Sequence, residues 1–187
     1  MIDELTKQEL DDVLIKIKKE FKVYKNYEYK NRYYDINIQR IVVLKLANLF
    51  NFNVYENENL PTFIDGIIRV NIKDKSIVIR SNLKPKDKRY LILYLLSYYM
   101  IHLNSKNINY HTGYGSIEKM QRNELAEYMA RNLLVPKDEL LKLENHFHNP
   151  EFCAKIFGTD EDLINLRINE IITKKKTLLD RFKLKKK

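Results

Sequence analysis

The side chains best suited to chemistry in this 187-residue chain are four histidines and one cysteine. His146 and His148 lie two positions apart. Glu144 precedes them and Asn149 follows them. Imidazole and carboxylate groups at this spacing, in a loop or strand, can bind a divalent transition metal. A pair of histidines more often has a structural or solvated role, so a loop before Pro150 is the favoured interpretation and a relocated metal site the alternative.

The other reactive side chains have no readable catalytic partner. His111 lies in a polar segment, and Ser97 has no histidine or lysine at a catalytic spacing. His102 follows a long apolar run, where a helix C-cap is the expected role. Cys153 lies beside Phe152 on an apolar helix face, which predicts a buried and inert thiol. These residues therefore do not define a nucleophilic active site.

Positive charge is concentrated at the C-terminus. The formal charge of the chain is +9, of which residues 174–187 contribute +7 and residues 1–173 only +2. Such a segment can bind a polyanion such as nucleic acid through non-specific charge, although a solvated terminus that aids solubility is the favoured interpretation. The basic residues are Lys174, Lys175, Lys176, Arg181, Lys183, Lys185, Lys186 and Lys187.

Length and composition narrow the class of protein. A chain of this length with 44% apolar residues can form one domain with its own core. One cysteine excludes an internal disulfide, and the opening residues do not resemble a signal peptide, so we expect a cytoplasmic location without a membrane segment. Only four glycines are present, which excludes a glycine-rich phosphate loop.

The elements that must position any site begin with helices and short strands. Thr6 and Glu9 have capping-box spacing before an amphipathic helix, and residues 38–49 predict a second helix. Three strands are expected at 54–55, 67–72 and 76–80, with Lys73–Lys75 as a turn and Gly66 at a turn or bulge. We expect these strands to form a small antiparallel sheet.

Helices dominate the rest of the chain. Pro85 opens a helix in which residues 90–101 carry no charge, so this helix must be buried and central. A polar loop at 104–116 follows, and the later helices are expected at 117–134, at 137–143, from Asn149-Pro150 to Gly158, and at 160–173 after a Thr159 cap. The pattern predicts an α+β fold: a small antiparallel three-stranded sheet packed on a mostly helical body.

Six segments in order carry a family resemblance over residues 38–172. They are 46–48 leading into 54–55; Leu60-Pro61 with 66–68; 76–79; Arg89-Tyr90 with 99–102; 127–136; and 152–159 with Arg167-Ile168. In this order and at these intervals the chain resembles the ImmA/IrrE family of gluzincin-like metallopeptidases. The resemblance implies a minimal zincin-like fold and, as partner, a helix-turn-helix repressor or another regulator of a phage or mobile element.

The resemblance fails at the catalytic positions. The family's His-Glu-x-x-His motif falls on Tyr94, Leu95 and Tyr98, and its third ligand, a glutamate, falls on Leu125. Zinc hydrolysis needs two imidazoles at i and i+4, a third ligand and a carboxylate base. A phenol, with an ordinary pKa of about 10, is a poor metal ligand at neutral pH. We therefore predict no enzyme activity, no metal and no cofactor, with the four side chains filling the former cavity as core.

Three functions remain open at this point. The favoured one is a catalytically inactive, protein-binding regulatory factor, with an N-terminal segment at 1–37, the family-like domain at 38–173 and the basic tail at 174–187. The first alternative is a nucleic-acid-binding accessory protein that uses the tail, with a faintly helix-turn-helix-like layout at 151–172. The second, minor alternative is a metallopeptidase with a rebuilt site.

Overall fold

A computed structural model describes residues 36–71, 74–102, 108–112 and 123–184, with side chains described over 43–71, 74–102 and 123–173. The chain divides into two compact units, the first ending at Leu134 and the second beginning at Val135. This division falls inside the predicted 38–173 domain, whose outer limits stay predictions. The predicted helix after Thr6 lies outside the described residues, as does the rest of the N-terminal segment up to residue 35.

The first unit contains a small mixed sheet. Strands β1 (Asn53–Asn57), β2 (Gly66–Val70), β3 (Lys75–Arg80) and β4 (Ile108–Thr112) lie in the order β1-β3-β2-β4. The α+β class with a small sheet is confirmed. The sheet is mixed rather than antiparallel, because β1 runs parallel to β3 while β2 is antiparallel to β3 and β4. β4 lies in the segment predicted to be a polar loop.

Buried and exposed side chains alternate along the strands, because helices cover one face of the sheet. Ile68 and Ile77 are paired across β2 and β3, and both are fully buried in the core. Tyr55 and Arg69 lie on the opposite face by their register, and both are exposed. Since side chains alternate between faces along a strand, the core of this unit lies on one side of the sheet.

A buried helix is the centre of the first unit, as predicted. This unit contains α1 (Ile36–Leu49), α2 (Pro85–Ile101) and α3 (Glu124–Leu134). Helix α2 packs against α1, α3, β2 and β3, and eleven of its seventeen residues are buried. Pro85 occupies the first turn, where its missing N–H costs no helical hydrogen bond. The uncharged run in the sequence is thus explained by contacts on all sides.

The start of α3 corrects a predicted boundary. The helix was expected to begin at Ile117, but Asn123 lies outside it and the first helical residue is Glu124. The Asn123 side-chain oxygen accepts a hydrogen bond from the N–H of Ala126 at 3.0 Å. A side chain that satisfies a free N–H of the first turn is an N-cap, so Asn123 fixes the start of this helix. Residues 117–122 lie outside the described residues.

Gly66 allows β2 to approach the central helix closely, which differs from its predicted turn or bulge position. A Cβ atom at this residue would lie 2.9 Å from Leu91 Cδ2 and 3.0 Å from Leu95 Cδ1. These distances are shorter than van der Waals contact, so a larger residue requires the leucines or the strand to move. Glycine is therefore a packing requirement of the contact between β2 and α2.

We expect Gly66→Ala to lower the free energy of unfolding by about 1–3 kcal/mol, because it overpacks a dense core. Urea denaturation measures this change. The Gly66→Ala/Leu91→Ala double variant is the matched test of the cause, since shortening Leu91 removes two of the three nearest contact atoms and leaves only Leu95 Cδ1. Its destabilisation should be smaller than the sum of the two single changes. Additive effects would contradict a direct clash with Leu91.

The second unit is helical. It contains α4 (Lys137–Leu141), a 3-10 turn at Glu144–His146, α5 (Pro150–Phe157) and α6 (Glu161–Leu184). The Asn149 side chain accepts the N–H of Phe152 at 3.1 Å, and Gly158 adopts a left-handed conformation with φ 59°. Both predicted ends of α5 are thereby confirmed.

Helix α6 differs from its prediction at both ends. It begins at Glu161, so Asp160 rather than Thr159 immediately precedes it, and it continues to Leu184 instead of ending near residue 173. Its packed stripe is formed by Ile164, Ile168 and Ile171, all buried. The backbone of the basic segment is therefore helical over 174–184, and Lys185, Lys186 and Lys187 lie outside the described residues. No helix among the described residues combines the length and the apolar character needed to cross a membrane.

Candidate functional site

The seam between α2 and α3 contains the positions at which the resemblance places a metal site. These two helices pack directly against each other, as expected. Tyr94 is 1% exposed, and its hydroxyl oxygen accepts a hydrogen bond from the backbone N–H of Asn123 at 3.1 Å. The phenol therefore lies at the N-terminus of α3 and satisfies a backbone donor there. This is a structural role for the side chain.

Of the three other positions, Leu95 and Tyr98 lie on α2 and Leu125 lies on α3. Leu95 is fully buried, and its Cδ1 atom lies against Gly66 of β2. Tyr98 and Leu125 are half-buried and pack against the core cluster. Tyr94 and Tyr98 share one face of α2 because they are four residues apart, whereas Leu95 is turned toward the sheet. Tyr94 and Leu95 are thus core residues of the first unit, while Tyr98 and Leu125 are partly exposed and pack against that core.

This set of side chains offers little for metal chemistry. Two leucines supply no donor atom, and the Tyr94 hydroxyl is engaged with Asn123. Within the residues that the structure describes, no three histidine, cysteine, aspartate or glutamate side chains converge as a metal site would need. The chemistry available in the seam is therefore apolar packing and hydrogen bonding.

His102 ends the central helix. Its N–H donates to the carbonyl oxygens of Tyr98 and Tyr99 at 3.2 and 3.1 Å, which confirms the predicted C-cap position. Its ring lies 4.4 Å from the Tyr98 ring, centre to centre. His111 lies on the edge strand β4, at the position paired with Ile67.

The His146–His148 segment is folded as a 3-10 turn and the link to α5. The two imidazole rings are 6.4 Å apart, and the His146 ring packs on Phe152 at 4.7 Å. Asn149, the residue after His148, is engaged as the α5 cap. Glu144 and both histidines are exposed to solvent. The structure thus gives His146 a packing role and Asn149 a capping role.

Two other side chains singled out in the sequence are buried. Ser97 donates its hydroxyl to the Leu93 carbonyl at 2.7 Å, an i to i−4 bond within α2. Cys153 is buried in α5, and its thiol lies 3.7 Å from the His146 carbonyl oxygen. Burial raises the pKa of the Cys153 thiol, because the interior disfavours the thiolate. Both residues are unsuited to nucleophilic attack.

Cys153 gives a test of burial in the second unit. We expect iodoacetamide to modify it at pH 8 at least about 100-fold more slowly in the folded protein than in urea, because the thiolate is the reactive form. The pKa of the Cys153 thiol is higher in the folded than in the unfolded protein. The protonated thiol therefore stabilises the folded protein below the unfolded pKa, and this stabilisation is lost as pH rises through the folded pKa. Cys153→Ala should remove this alkaline loss. Equal modification rates with and without urea would contradict burial.

Arg80, which sequence reasoning missed, organises a loop. Arg80 donates to the Asp65 carboxylate at 2.9 Å and to the carbonyl oxygens of Leu60, Pro61 and Ile64. It therefore holds the segment between β1 and β2. The only available signal was an arginine at the end of a strand, because its partners are 15–20 residues away in the chain.

Arg167 has a similar role in the second unit. Its Nε donates to the Val135 carbonyl at 3.2 Å, and its guanidinium pairs with Glu170. Arg89 is also buried, in the first unit, and burial lowers the pKa of its guanidinium. Arg89 and Arg167 belong to segments that carry the family resemblance, so these segments contribute buried structural cations.

Together these features define an α+β protein with a helix–helix seam closed by tyrosine and leucine side chains. No protein-family model matches the chain, and no curated protein matches it. Among solved structures, a Mycobacterium tuberculosis transcriptional regulator is similar, with 19% identity and a TM-score of 0.48. The similarity covers 66% of this chain and 39% of that chain, so it spans well under half of the regulator.

Proposed function

We propose that this protein is a catalytically inactive regulatory factor that binds another protein through an ImmA/IrrE-type scaffold. The observation that carries the proposal is the closed seam between α2 and α3, in which Tyr94 is buried and bonded to Asn123. The partner that the resemblance implies is a helix-turn-helix repressor or another regulator from the same phage or mobile element.

The chemistry of the four positions supports loss of hydrolysis. A zinc peptidase needs three ligands and a carboxylate that takes a proton from bound water. Tyr94, Leu95, Tyr98 and Leu125 supply no imidazole and no carboxylate. Because ligands and base are all replaced, a single compensating residue would not restore the reaction. Binding, in contrast, requires a stable scaffold and no metal.

Side-chain contacts between elements of the first unit support a retained scaffold. Arg80 fixes the segment between β1 and β2, and Asn123 fixes the start of α3. Lys88 at the start of α2 pairs with Glu56 of β1 at 2.6 Å. These contacts fix a loop, a helix start and the position of α2 against β1, so the unit can present a defined surface without a metal at its centre.

Zinc content tests the inactive site. We expect elemental analysis of the purified protein to find well under 0.1 zinc per chain, as an order of magnitude for a chain without a three-ligand site. Tyr98→Phe removes the less buried phenol of the seam, and Tyr55→Phe, on the exposed sheet face, is its matched control. One tightly bound zinc per chain that is lost in Tyr98→Phe but kept in Tyr55→Phe would overturn the proposal.

Direct binding tests the regulatory role. The probe is the purified helix-turn-helix regulator encoded nearest to this chain in its own genome, mixed with the protein in zinc or in chelator. We expect a stoichiometric complex by size-exclusion chromatography, with the regulator intact and the complex unaffected by chelator. A regulator fragment that appears only in zinc would favour the metallopeptidase alternative. No complex with that regulator would contradict the proposed partner.

A further inference from the structure

The second unit combines an acidic body with a basic helical end. Residues 135–173 contain four lysine or arginine residues and eight aspartate or glutamate residues, a net charge of −4. Residues 174–187 carry +7, and helix α6 continues through this segment to Leu184. Within α6 itself, residues 161–173 carry −2 and residues 174–184 carry +4, so the two halves of the helix have opposite charge. This polarity is the basis of the inference.

We propose that the C-terminal half of α6, residues 174–184, binds the phosphate backbone of nucleic acid without sequence specificity. This inference does not depend on the proposed function of the first unit. Five cationic residues among these eleven, with one aspartate between them, match a ligand that carries closely spaced negative charges. Duplex DNA carries about one charge per 1.7 Å of its axis.

The N-terminal half of α6 anchors the helix in the second unit. Ile164, Arg167, Ile168 and Ile171 form its buried stripe, and α6 packs against α4 and α5. The basic segment continues this anchored helix, so its backbone enters binding already helical over 174–184. A preformed helix loses less conformational entropy on binding than a disordered tail.

The distribution of charge along α6 also indicates which part of the helix contacts the nucleic acid. In a helix-turn-helix protein, the N-terminal residues of the second helix contact base edges in the major groove. Here α6 begins with Glu161 and Asp162 directly after Asp160, and all three side chains are exposed. Three carboxylates at that end would repel phosphate, so α5 and α6 are unsuited to this mode of recognition. The basic C-terminal half is the part of the helix that phosphate would attract.

The experiment measures binding of the full chain to a fluorescent 20-base-pair DNA duplex and to a single-stranded RNA of the same length, from 50 to 300 mM NaCl. Both probes present the same phosphate chemistry, and the two arms show which nucleic acid binds more tightly. For the duplex we expect the logarithm of affinity to fall with the logarithm of salt with a slope of about −4 to −7, as for roughly five to eight phosphate contacts.

A pair of triple variants locates the site. Lys174→Gln/Lys175→Gln/Lys176→Gln should lower duplex affinity at 100 mM NaCl at least about tenfold and reduce the slope by about 2–3. Glutamine keeps the helix propensity of lysine. The matched control, Lys84→Gln/Lys142→Gln/Lys155→Gln, removes the same charge at exposed positions elsewhere and should change affinity less than about twofold.

Three outcomes would overturn the proposal. The first is no binding of either probe at 50 mM NaCl. The second is an equal loss in the two triple variants, which would show that net charge and not this segment matters. The third is binding to vesicles that contain anionic lipid, with neither nucleic acid bound, which would assign the segment to a membrane surface. Circular dichroism of each variant checks that α6 remains helical.

Discussion

Restoring the family's zinc residues should leave this protein unfolded in chelator and partly restore its stability in zinc. The variant is Tyr94→His/Leu95→Glu/Tyr98→His/Leu125→Glu. Tyr94 and Leu95 are fully buried, so the new polar groups would have no water and no partner. We expect a loss of about 5 kcal/mol or more, which is comparable to the whole stability of a small domain. Thermal melts in chelator and in zinc measure both effects.

Only part of this loss should be recovered by zinc. Ligand binding at a concentration of about 100 times its dissociation constant stabilises a protein by about 2.7 kcal/mol. In addition, Leu95 is turned toward Gly66 and the sheet, so a carboxylate introduced there would stay buried away from the other three positions. The triple variant Tyr94→His/Tyr98→His/Leu125→Glu, which keeps Leu95, should therefore recover a larger fraction of its stability.

Single changes provide the control for this prediction. Tyr94→His removes the hydroxyl that accepts the Asn123 N–H, so it should be destabilising in zinc and in chelator alike. One imidazole cannot form a closed zinc site, and its melting temperature should rise little with zinc. A quadruple variant as stable as the parent in chelator would contradict the burial of the seam.

Strong local signals account for the parts of the fold that the sequence could predict. The uncharged run at 90–101 can only be buried, and Pro85 before it determines where α2 begins. Asn149 and Gly158 act within α5 itself, one through a side chain and one through a positive φ. Features of this kind depend on neighbours three or four residues away, so residue types and spacing are sufficient to predict them.

Residue types and spacing do not predict backbone pairing between strands that are distant in the chain. β1 is parallel to β3, and β4 pairs with β2 between residues that are 38 to 46 positions apart. Such ladders are formed by main-chain groups that every residue type provides, so composition alone does not reveal them. The mixed sheet order and the strand in the 104–116 segment therefore emerged only from the structure.

In the candidate site, too, the local features could be predicted from the sequence and the long-range contacts could not. Its two helices and the identity of its side chains could be predicted, and so could the C-cap role of His102. The bond between Tyr94 and Asn123 joins residues 29 positions apart, and it depends on where α3 begins. That start is set by Asn123 and not by the apolar pattern. A pattern of apolar residues predicts which helices pack together, but not which backbone donor meets a buried hydroxyl.

Arg80→Ala should be the most damaging single change at the edge of the first unit. The guanidinium joins the Asp65 carboxylate and three carbonyl oxygens between β1 and β2, and both charged side chains are largely buried. Removing one partner of a buried ion pair leaves the other charge poorly compensated, which costs about 3–5 kcal/mol. Urea denaturation should show a loss of about this size.

Two comparison variants separate geometry from charge. Arg80→Lys keeps the charge, but a single ammonium cannot reproduce the planar fork that reaches a carboxylate and three carbonyls, so we expect about half of the loss to remain. Arg69→Ala removes an exposed arginine from the neighbouring strand and should change stability by less than about 0.5 kcal/mol. If Arg80→Ala were as mild as Arg69→Ala, the 60–65 segment would be held by its own turns. A large loss confined to Arg80 would show that one side chain, distant in sequence from its partners, orders the segment between β1 and β2.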